Sequence, residues 1–218
     1  MTAIPHYAAF LFDMDGTLLT SIAAAERVWT RWAREHGLDV ATFIPTIHGA
    51  RAIDTVRRVA LPGMDADVEA ARITAWELED MAGVEAIAGA AAFTASLPPQ
   101  AWAIVTSAPR ELAVRRLQAA GLSPPAVMVA AEDVERGKPD PSGYRLAAAR
   151  LGVDAKHCLI FEDAPAGIGA GEAAGAEVLV ITATHADPLE TPHRSARDFH
   201  QLQAVSHPDG LQLRDSAR

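Results

Sequence analysis

The sequence has little that would support a disulfide-bonded, metal-thiolate or membrane-spanning protein. Its 218 residues include a single cysteine, Cys158, so neither an intramolecular disulfide nor a zinc-thiolate set is available. No apolar run approaches the roughly 20 residues that a membrane-spanning helix needs. Residues 1–6 carry no basic region ahead of a hydrophobic stretch and do not resemble a secretion signal. We therefore expect a cytoplasmic protein with no membrane partner.

Positive charge is also scarce. The chain has 19 Lys and Arg against 28 Asp and Glu, a formal net charge of −9. Such a balance repels nucleic-acid backbones and anionic membrane surfaces, so we expect neither as a partner. The negative charge is compatible with a small phosphorylated metabolite as the ligand, because binding such a ligand needs only a few local cations or a metal. The composition leaves the oligomeric state open and is compatible with a monomer.

Short apolar runs alternate with helix-like segments along most of the chain. Continuous apolar runs rich in Val, Ile and Phe are typical of strands buried on both faces of a parallel sheet. The predicted strands are residues 7–12, 102–105, 127–129, 158–161 and 178–181, and the predicted helices are residues 109–120, 142–151 and 166–174. The alternation predicts an α/β fold with a doubly wound, mostly parallel sheet and a Rossmann-like core.

The region from residue 19 to residue 83 has a different pattern. Apolar residues recur there at helical spacing around Trp29, Val56 and Trp76, and no strand-like run interrupts them. We therefore predict a small helical cap domain over residues 19–83, inserted into an α/β core of residues 1–18 and 84–218. Hinges are expected near residues 18–21 and 83–88.

Polar side chains capable of chemistry follow the predicted strands. In an open parallel sheet, ligands bind outside the carboxyl ends of the strands, so side chains at these ends should converge at one edge. The candidates in chain order are Asp13, Asp15, Thr106, Ser107, Lys138, Glu162 and Asp163. Carboxylates, hydroxyls and one lysine would then share a single site.

These residue types suit metal-assisted phosphoryl transfer. Asp13, Asp15 and Asp163 offer the hard oxygen ligands that Mg²⁺ prefers, and leave room for a substrate phosphate. Asp13 could attack phosphorus to form an aspartyl-phosphate, while Asp15 protonates the leaving oxygen and later takes a proton from water. Thr106 and Lys138 would hold the equatorial oxygens, where negative charge spreads in the transition state.

The Asp-x-Asp-Gly pattern at residues 13–16 has two competing interpretations. Alone, it is more often a solvated turn than a catalytic centre. A calcium loop would need glycine at position 6 and glutamate at position 12. Counting from Asp13, the glycine comes at position 4 and Ala24 occupies position 12, so the spacing excludes that loop. The three further motifs favour the catalytic interpretation over the turn.

A second glycine-containing motif lies at residues 169–174, which match the loose G-x-G-x-x-A form of a dinucleotide-binding turn. The true motif begins directly after a strand, whereas this one falls inside a predicted helix. We therefore interpret its glycines as sites of close helix–sheet packing, and a nicotinamide enzyme is not expected.

The four motifs DMDGT, VTS, GKPDP and FEDAPAGI occur in this order and at predicted strand ends. In these residues the chain resembles the haloacid dehalogenase-like superfamily of phosphohydrolases. The resemblance covers nearly the whole chain, because the helical insert sits where this family carries a small cap. It implies that Asp13 is the nucleophile, Asp15 the acid/base, and Thr106 and Lys138 the phosphate binders.

The resemblance also implies a cofactor. Mg²⁺ would be held by Asp13, by the backbone carbonyl of Asp15 and by Asp163, with Glu162 assisting. The stretches HGAR at residues 48–51, AWAIVTS and FEDAPAGIGAGEAAGA look most like sugar-phosphate and polyol-phosphate phosphatases within the family. This implies a Mg²⁺-dependent phosphatase of small phosphorylated sugars or polyols.

The cap residues His48 and Arg51 are the candidates for substrate binding, together with Ser107 of the core. On a cap face that closes over the site, Arg51 would grip substrate hydroxyls or a second anionic group. The alternative is a helix start that carries a surface arginine.

Two other functions are compatible with the same fold. A phosphomutase of the β-phosphoglucomutase type would use the same residues, but must protect the aspartyl-phosphate from water until a sugar hydroxyl accepts it. A non-catalytic phosphometabolite-binding protein is expected to have lost the nucleophile or the acid/base. Since Asp13 and Asp15 are both present, the sequence favours an enzyme.

Overall fold

A computed structural model describes residues 5–185 and 190–215. The strands are β1 (Ala9–Phe12), β2 (Leu19–Thr20), β3 (Glu85–Ala86), β4 (Trp102–Val105), β5 (Val127–Val129), β6 (Cys158–Glu162), β7 (Glu177–Ile181), β8 (Arg194–Ala196), β9 (Leu202–His207) and β10 (Gly210–Asp215). The helices are α1 (Ile22–Glu35), α2 (Val40–Phe43), α3 (Ala52–Val59), α4 (Ala66–Glu79), α5 (Ala90–Ala95), α6 (Arg110–Ala119), α7 (Ser142–Arg150) and α8 (Pro165–Ala174).

A six-stranded sheet forms the centre of the molecule. Its strand order is β5-β4-β1-β6-β7-β8, and each neighbouring pair is parallel. β1 lies between β4 and β6, with Phe12 opposite Ile104 on one side and Phe161 on the other. The predicted α/β fold with a doubly wound parallel sheet is confirmed, and the ends of β1, β4 and β6 meet at one edge.

Each face of the sheet carries its own hydrophobic layer. Side chains alternate along β1, so Phe10 and Phe12 join one layer and Ala9 and Leu11 join the other. The helices α6 and α8 cover opposite faces, through residues such as Leu112 on the first face and Ile168 on the second.

Close packing explains the glycines of α8. A Cβ atom added at Gly171 would lie 2.8 Å from the Val178 side chain, and one at Gly167 would overlap the Glu162 carboxylate. Of the two glycines in the 169–174 motif, Gly171 therefore lies at a site of close helix–sheet packing, whereas a Cβ atom at Gly169 would make only an ordinary contact, 3.5 Å from Pro139.

The helices α1–α4 occupy the predicted insert and share a separate core. Trp29, Trp32, Phe43, Val56 and Ile73 belong to this cluster. β2 pairs antiparallel with β3, so the chain enters and leaves the helical segment through two adjacent strands. The division into a core and a cap at residues 19–83 stays a prediction, with β2 just inside the predicted insert.

The C-terminal segment adds structure that was not predicted. β8 joins the edge of the main sheet, while β9 and β10 form an antiparallel hairpin. This hairpin is tied to the chain start, because Tyr7 and Leu211 exchange backbone hydrogen bonds of 2.8 and 2.7 Å. Within the described ranges no helix has both the length and the apolar character that a membrane crossing requires.

Candidate active site

The first acidic motif is placed by the central strand and by a glycine turn. The Asp13 amide donates to Phe161 O at 2.9 Å, which extends the pairing between β1 and β6. Gly16 then turns the chain with a φ of +94°, a conformation that favours glycine. A Cβ atom at Gly16 would lie 2.0 Å from Asp163 Oδ2. The Asp163 carboxylate therefore lies directly against the backbone of the first motif.

Three buried or half-buried carboxylates converge at this edge of the sheet. Asp13, Glu162 and Asp163 each place one oxygen within 4.8 Å of those of the other two. The ammonium of Lys138 contacts Asp13 Oδ1 and lies 2.6 Å from Glu162 Oε1. Lys138 thus contacts two of the three carboxylates, and this acidic cluster has the composition of a site for a hard divalent cation.

Burial controls the ionisation of the cluster. It raises the pKa of Asp13 to about 7, against the attraction of Lys138. Burial, followed by the charges of Asp13 and Glu162, also raises the pKa of Asp163 well above its usual range. For Lys138, burial alone would lower the pKa, but the two carboxylates outweigh it and raise that pKa, so the ammonium stays charged. A bound dication would relieve the repulsion, so these residues fit a metal.

Glu162 is held by four hydrogen-bond donors. Its Oε1 accepts from Lys138 and from the Tyr144 hydroxyl at 2.8 Å. Its Oε2 accepts from the amides of Asp163 at 2.9 Å and Ala164 at 3.2 Å. Glu162 thereby fixes Lys138 beside Asp13, and its assistance to a metal stays a prediction. The sequence did not identify Tyr144 as a site residue, because an aromatic residue inside a predicted helix is expected to belong to the hydrophobic core.

Asp15 is anchored through a single oxygen. Its Oδ1 accepts from Ser21 Oγ at 2.6 Å and from Arg116 at 3.1 Å. Arg116 also donates to Glu77 of α4 at 3.0 Å. Sequence analysis missed Arg116 and Glu77, although Arg116 lies between the apolar positions of α6 that face the core.

Thr106 and Ser107 follow β4, as expected. The Thr106 amide donates to Val129 O at 2.9 Å, and its hydroxyl accepts from the Ala108 amide at 3.1 Å. Ser107 Oγ donates to Gly49 O at 2.9 Å and so connects the core to the helical segment.

The candidate residues line two adjoining cavities. Those of the larger cavity include Asp13, Asp15, His48, Glu77, Ser107, Arg116 and Asp163. Those of the smaller one include Arg51, Thr106, Ser107, Lys138 and Tyr144. Ser107 lies at the boundary between the two.

The two candidate residues of the helical segment have different surroundings. His48 is part of the larger cavity, with Nε2 3.5 Å from Glu26 Oε1. Arg51 is buried, so the alternative of a surface arginine is wrong. Its guanidinium donates to the Asp54 carboxylate at 2.6 and 3.0 Å, and to Val134 O and Glu135 O at 3.0 Å each. Substrate binding by Arg51 would require these bonds to break, and stays a prediction.

Comparison with known proteins places the chain in a family. Residues 7–175 match the family model of haloacid dehalogenase-like hydrolases. The chain is similar to hexitol phosphatase A of Escherichia coli, with 40% identity that covers 90% of this chain and 92% of that one. It is also similar to 2-deoxyglucose-6-phosphate phosphatase 1 of Saccharomyces cerevisiae, with 35% identity over 80% of each chain.

A solved structure agrees with these relatives. A haloacid dehalogenase family hydrolase from Deinococcus radiodurans, crystallised with bound phosphate and sodium, has a TM-score of 0.58 and 32% identity over 80% of each chain. The protein belongs to the haloacid dehalogenase-like hydrolase family.

Proposed function

We propose that this protein is a Mg²⁺-dependent phosphatase that hydrolyses phosphate monoesters of small sugars or polyols through an aspartyl-phosphate. The observation that carries the proposal is the arrangement of Asp13, Lys138 and Asp163, which places a buried carboxylate, an ammonium and a second carboxylate at one sheet edge. The two curated relatives, named as phosphatases of a hexitol and of 2-deoxyglucose 6-phosphate, support the substrate class.

The acidic cluster would hold the metal. Asp13, Asp163 and the backbone carbonyl of Asp15 are the proposed ligands, with Glu162 nearby to assist. When bound, Mg²⁺ would neutralise the repulsion between Asp13 and an incoming phosphate dianion. Lys138 and Thr106 would hold the phosphate oxygens on which charge accumulates.

The covalent chemistry falls to two aspartates. The Asp13 carboxylate attacks phosphorus, and the bond from phosphorus to the ester oxygen breaks. Asp15 gives its proton to the departing oxygen, then accepts a proton from the water that attacks the aspartyl-phosphate. Among the residues the structure describes, Asp15 Oδ2 has no hydrogen-bond partner, so it is the oxygen available for proton transfer.

The helical segment would act as a cap that opens for substrate and closes to limit water. In the structure it is seated on the core through the Ser107–Gly49 bond and through the bonds of Arg51 to the 134–135 carbonyls. His48 and Ser107 are then the proposed contacts to the sugar or polyol.

A phosphate-release screen tests the proposal. Glycerol, hexitol, hexose, pentose and glycolate monophosphates would be compared with and without Mg²⁺, with Asp13→Asn as the inactive control. We expect Mg²⁺-dependent release of one phosphate per sugar or polyol ester. Isomer formation without phosphate release would instead favour a phosphomutase. Binding without turnover of any ester would favour a non-catalytic metabolite-binding protein.

A further inference from the structure

Arg116 joins the proposed acid/base to a buried carboxylate of the helical segment. One guanidinium nitrogen lies 3.1 Å from Asp15 Oδ1, and another lies 3.0 Å from Glu77 Oε1. The Arg116 and Glu77 side chains are only 6% and 9% exposed. Arg116 belongs to α6, which covers the sheet, whereas Glu77 belongs to α4 of the helical segment.

Fold stability alone does not account for this pair. Taking both ions out of water is costly, and apolar residues of similar size often serve stability as well or better. Within the part of the chain that the structure describes, the Arg116 Nε is buried without a hydrogen-bond partner, so the arginine is imperfectly satisfied where it lies. Both residues also line the larger cavity, together with Asp13 and Asp15. A buried ion pair at this place points to a role in the site.

The geometry at Asp15 indicates that role. Arg116 and Ser21 bind the same oxygen, Oδ1, and so fix the plane of the carboxyl while Oδ2 is left for proton transfer. Ser21 is a neighbour of Asp15 along the chain, but Arg116 comes from a distant helix and is itself held by Glu77. Removal of Glu77 would therefore release the guanidinium from one of its two anchors.

We propose that Arg116 is a positioning residue for the acid/base Asp15, and that Glu77 aligns Arg116 only when the helical segment is seated on the core. Seating of the cap would thereby complete the proton-transfer machinery. The inference rests on the proposed function, because it takes Asp15 as the acid/base.

Leaving groups of different basicity separate this role from a structural one. An alkoxide leaves a phosphate ester poorly unless it is protonated, whereas p-nitrophenolate is stable enough to leave without a proton. A group that acts through Asp15 in the acid step should therefore matter for a hexitol monophosphate and matter little for p-nitrophenyl phosphate. A general loss of structure would lower both rates together.

The experiment compares the rate of the first step, measured as release of hexitol or p-nitrophenolate in a single turnover, in Glu77→Gln, Arg116→Gln and Arg116→Lys, with Asp15→Asn as the reference. The steady-state kcat would not separate the two substrates, because it also includes the hydrolysis of the aspartyl-phosphate, for which Asp15 is the proposed base. In Glu77→Gln and Arg116→Gln we expect the rate of hexitol release to fall by about 100-fold. In the same variants the rate of p-nitrophenolate release should fall by at most a few-fold. Arg116→Lys should recover part of the loss. Arg27→Gln is the matched control, since it breaks an exposed arginine–aspartate pair with Asp80 in the same helical segment.

Folding is kept separate from function by one further variant. If a single substitution unfolds the protein, the double variant Glu77→Met with Arg116→Met removes both charges without leaving either one buried alone. This double variant should fold and should show the same selective loss on the hexitol ester.

Two results would overturn the inference. In the first, Asp15→Asn shows the selective loss, but the Glu77 and Arg116 variants lower both rates equally or lower neither rate. Arg116 then does not act through Asp15, and the proposed function stands. If Asp15→Asn itself shows no selective loss, the acid/base assignment fails and the inference fails with it.

Discussion

Lys138 and Glu162 form a buried ion pair, with Nζ 2.6 Å from Oε1, and the same ammonium contacts Asp13. Glu162 in turn accepts from Tyr144 and from two backbone amides. The two adjacent acids of the fourth motif thus have different surroundings, since Glu162 holds a cation while Asp163 lies against Gly16. We expect their substitutions to have different effects.

Glu162→Gln should lower both activity and stability. The substitution leaves Lys138 with one buried counter-charge instead of two, and we expect a loss on the order of 3 kcal/mol in the free energy of unfolding. Misplacement of the ammonium should lower kcat by about 10-fold or more. Tyr144→Phe is the control, because it removes one donor to the same oxygen and should cost about 1 kcal/mol. Urea unfolding measures the change in stability, and phosphate release measures the change in kcat. Equal effects of Glu162→Gln and Tyr144→Phe would contradict the assigned role of Glu162.

Gly16→Ala should displace Asp163. Gly16 and Gly37 both have a positive φ. An added Cβ would overlap the Asp163 carboxylate at Gly16, whereas at Gly37 it would meet none of the described residues within 4 Å. Gly37→Ala is therefore the control for backbone strain, which costs about 1–2 kcal/mol. We expect Gly16→Ala to weaken Mg²⁺ binding and to abolish most activity, while Gly37→Ala stays active. Full activity of Gly16→Ala would show that Asp163 does not need its present position.

Mg²⁺ should stabilise the protein through Asp163. A ligand at about 100 times its Kd adds about 2.7 kcal/mol to the free energy of unfolding. Asp163→Asn should lose this gain, while Asp154→Asn, which alters an exposed pair with Lys156, should keep it. Thermal unfolding with and without Mg²⁺ measures the difference. Equal stabilisation of both variants would place the metal elsewhere.

The metal-free protein should become less stable as pH rises from about 4 to about 7. Burial raises the Asp13 pKa to about 7 in the folded state, whereas the unfolded chain titrates this carboxyl near its usual value of about 3.9. The folded state therefore binds more protons than the unfolded chain across this window. The contribution of Asp13 to the free energy of unfolding is complete below the window and is lost as the pH rises through it. Mg²⁺ should reduce the loss. Unfolding at several pH values measures this loss, and we expect Asp13→Asn to make the profile shallower, with the raised pKa of Asp163 responsible for part of the remaining slope.

Arg51→Ala should raise KM for sugar phosphates far more than it lowers kcat. The substitution removes four hydrogen bonds, two to Asp54 and two to carbonyls beside the Lys138 loop, as well as the proposed contact to substrate. Arg58→Ala in α3, the helix that Arg51 precedes, is the control, since Arg58 is exposed and, among the described residues, bonds only to Thr46. Unchanged kinetics for Arg51→Ala across a substrate panel would remove Arg51 from substrate binding.

Much of the core could be predicted because its signals are local. The apolar runs before Asp13, Thr106 and Glu162 are strands in the structure, and parallel pairing brings their ends together. The positions of α1, α3 and α4 also followed from helical spacing.

What could not be predicted depends on contacts across the chain. Arg116, Glu77 and Tyr144 reach the site from helices where periodicity indicates only core or surface. The surroundings of Arg51 depend on how the helical segment rests on the 134–138 loop. The strands β8 to β10 have few apolar residues, and their pairing with distant partners leaves no strong pattern in the sequence.

Formation of a covalent intermediate at Asp13 is the most direct test of the account. In Asp15→Asn the proposed base is missing, so an aspartyl-phosphate formed from p-nitrophenyl phosphate should accumulate. Acid quench, borohydride reduction and peptide mass spectrometry would then find homoserine at position 13, in proportion to a burst of p-nitrophenolate. A burst with position 13 unmodified, or with the modification at another carboxylate, would contradict the account.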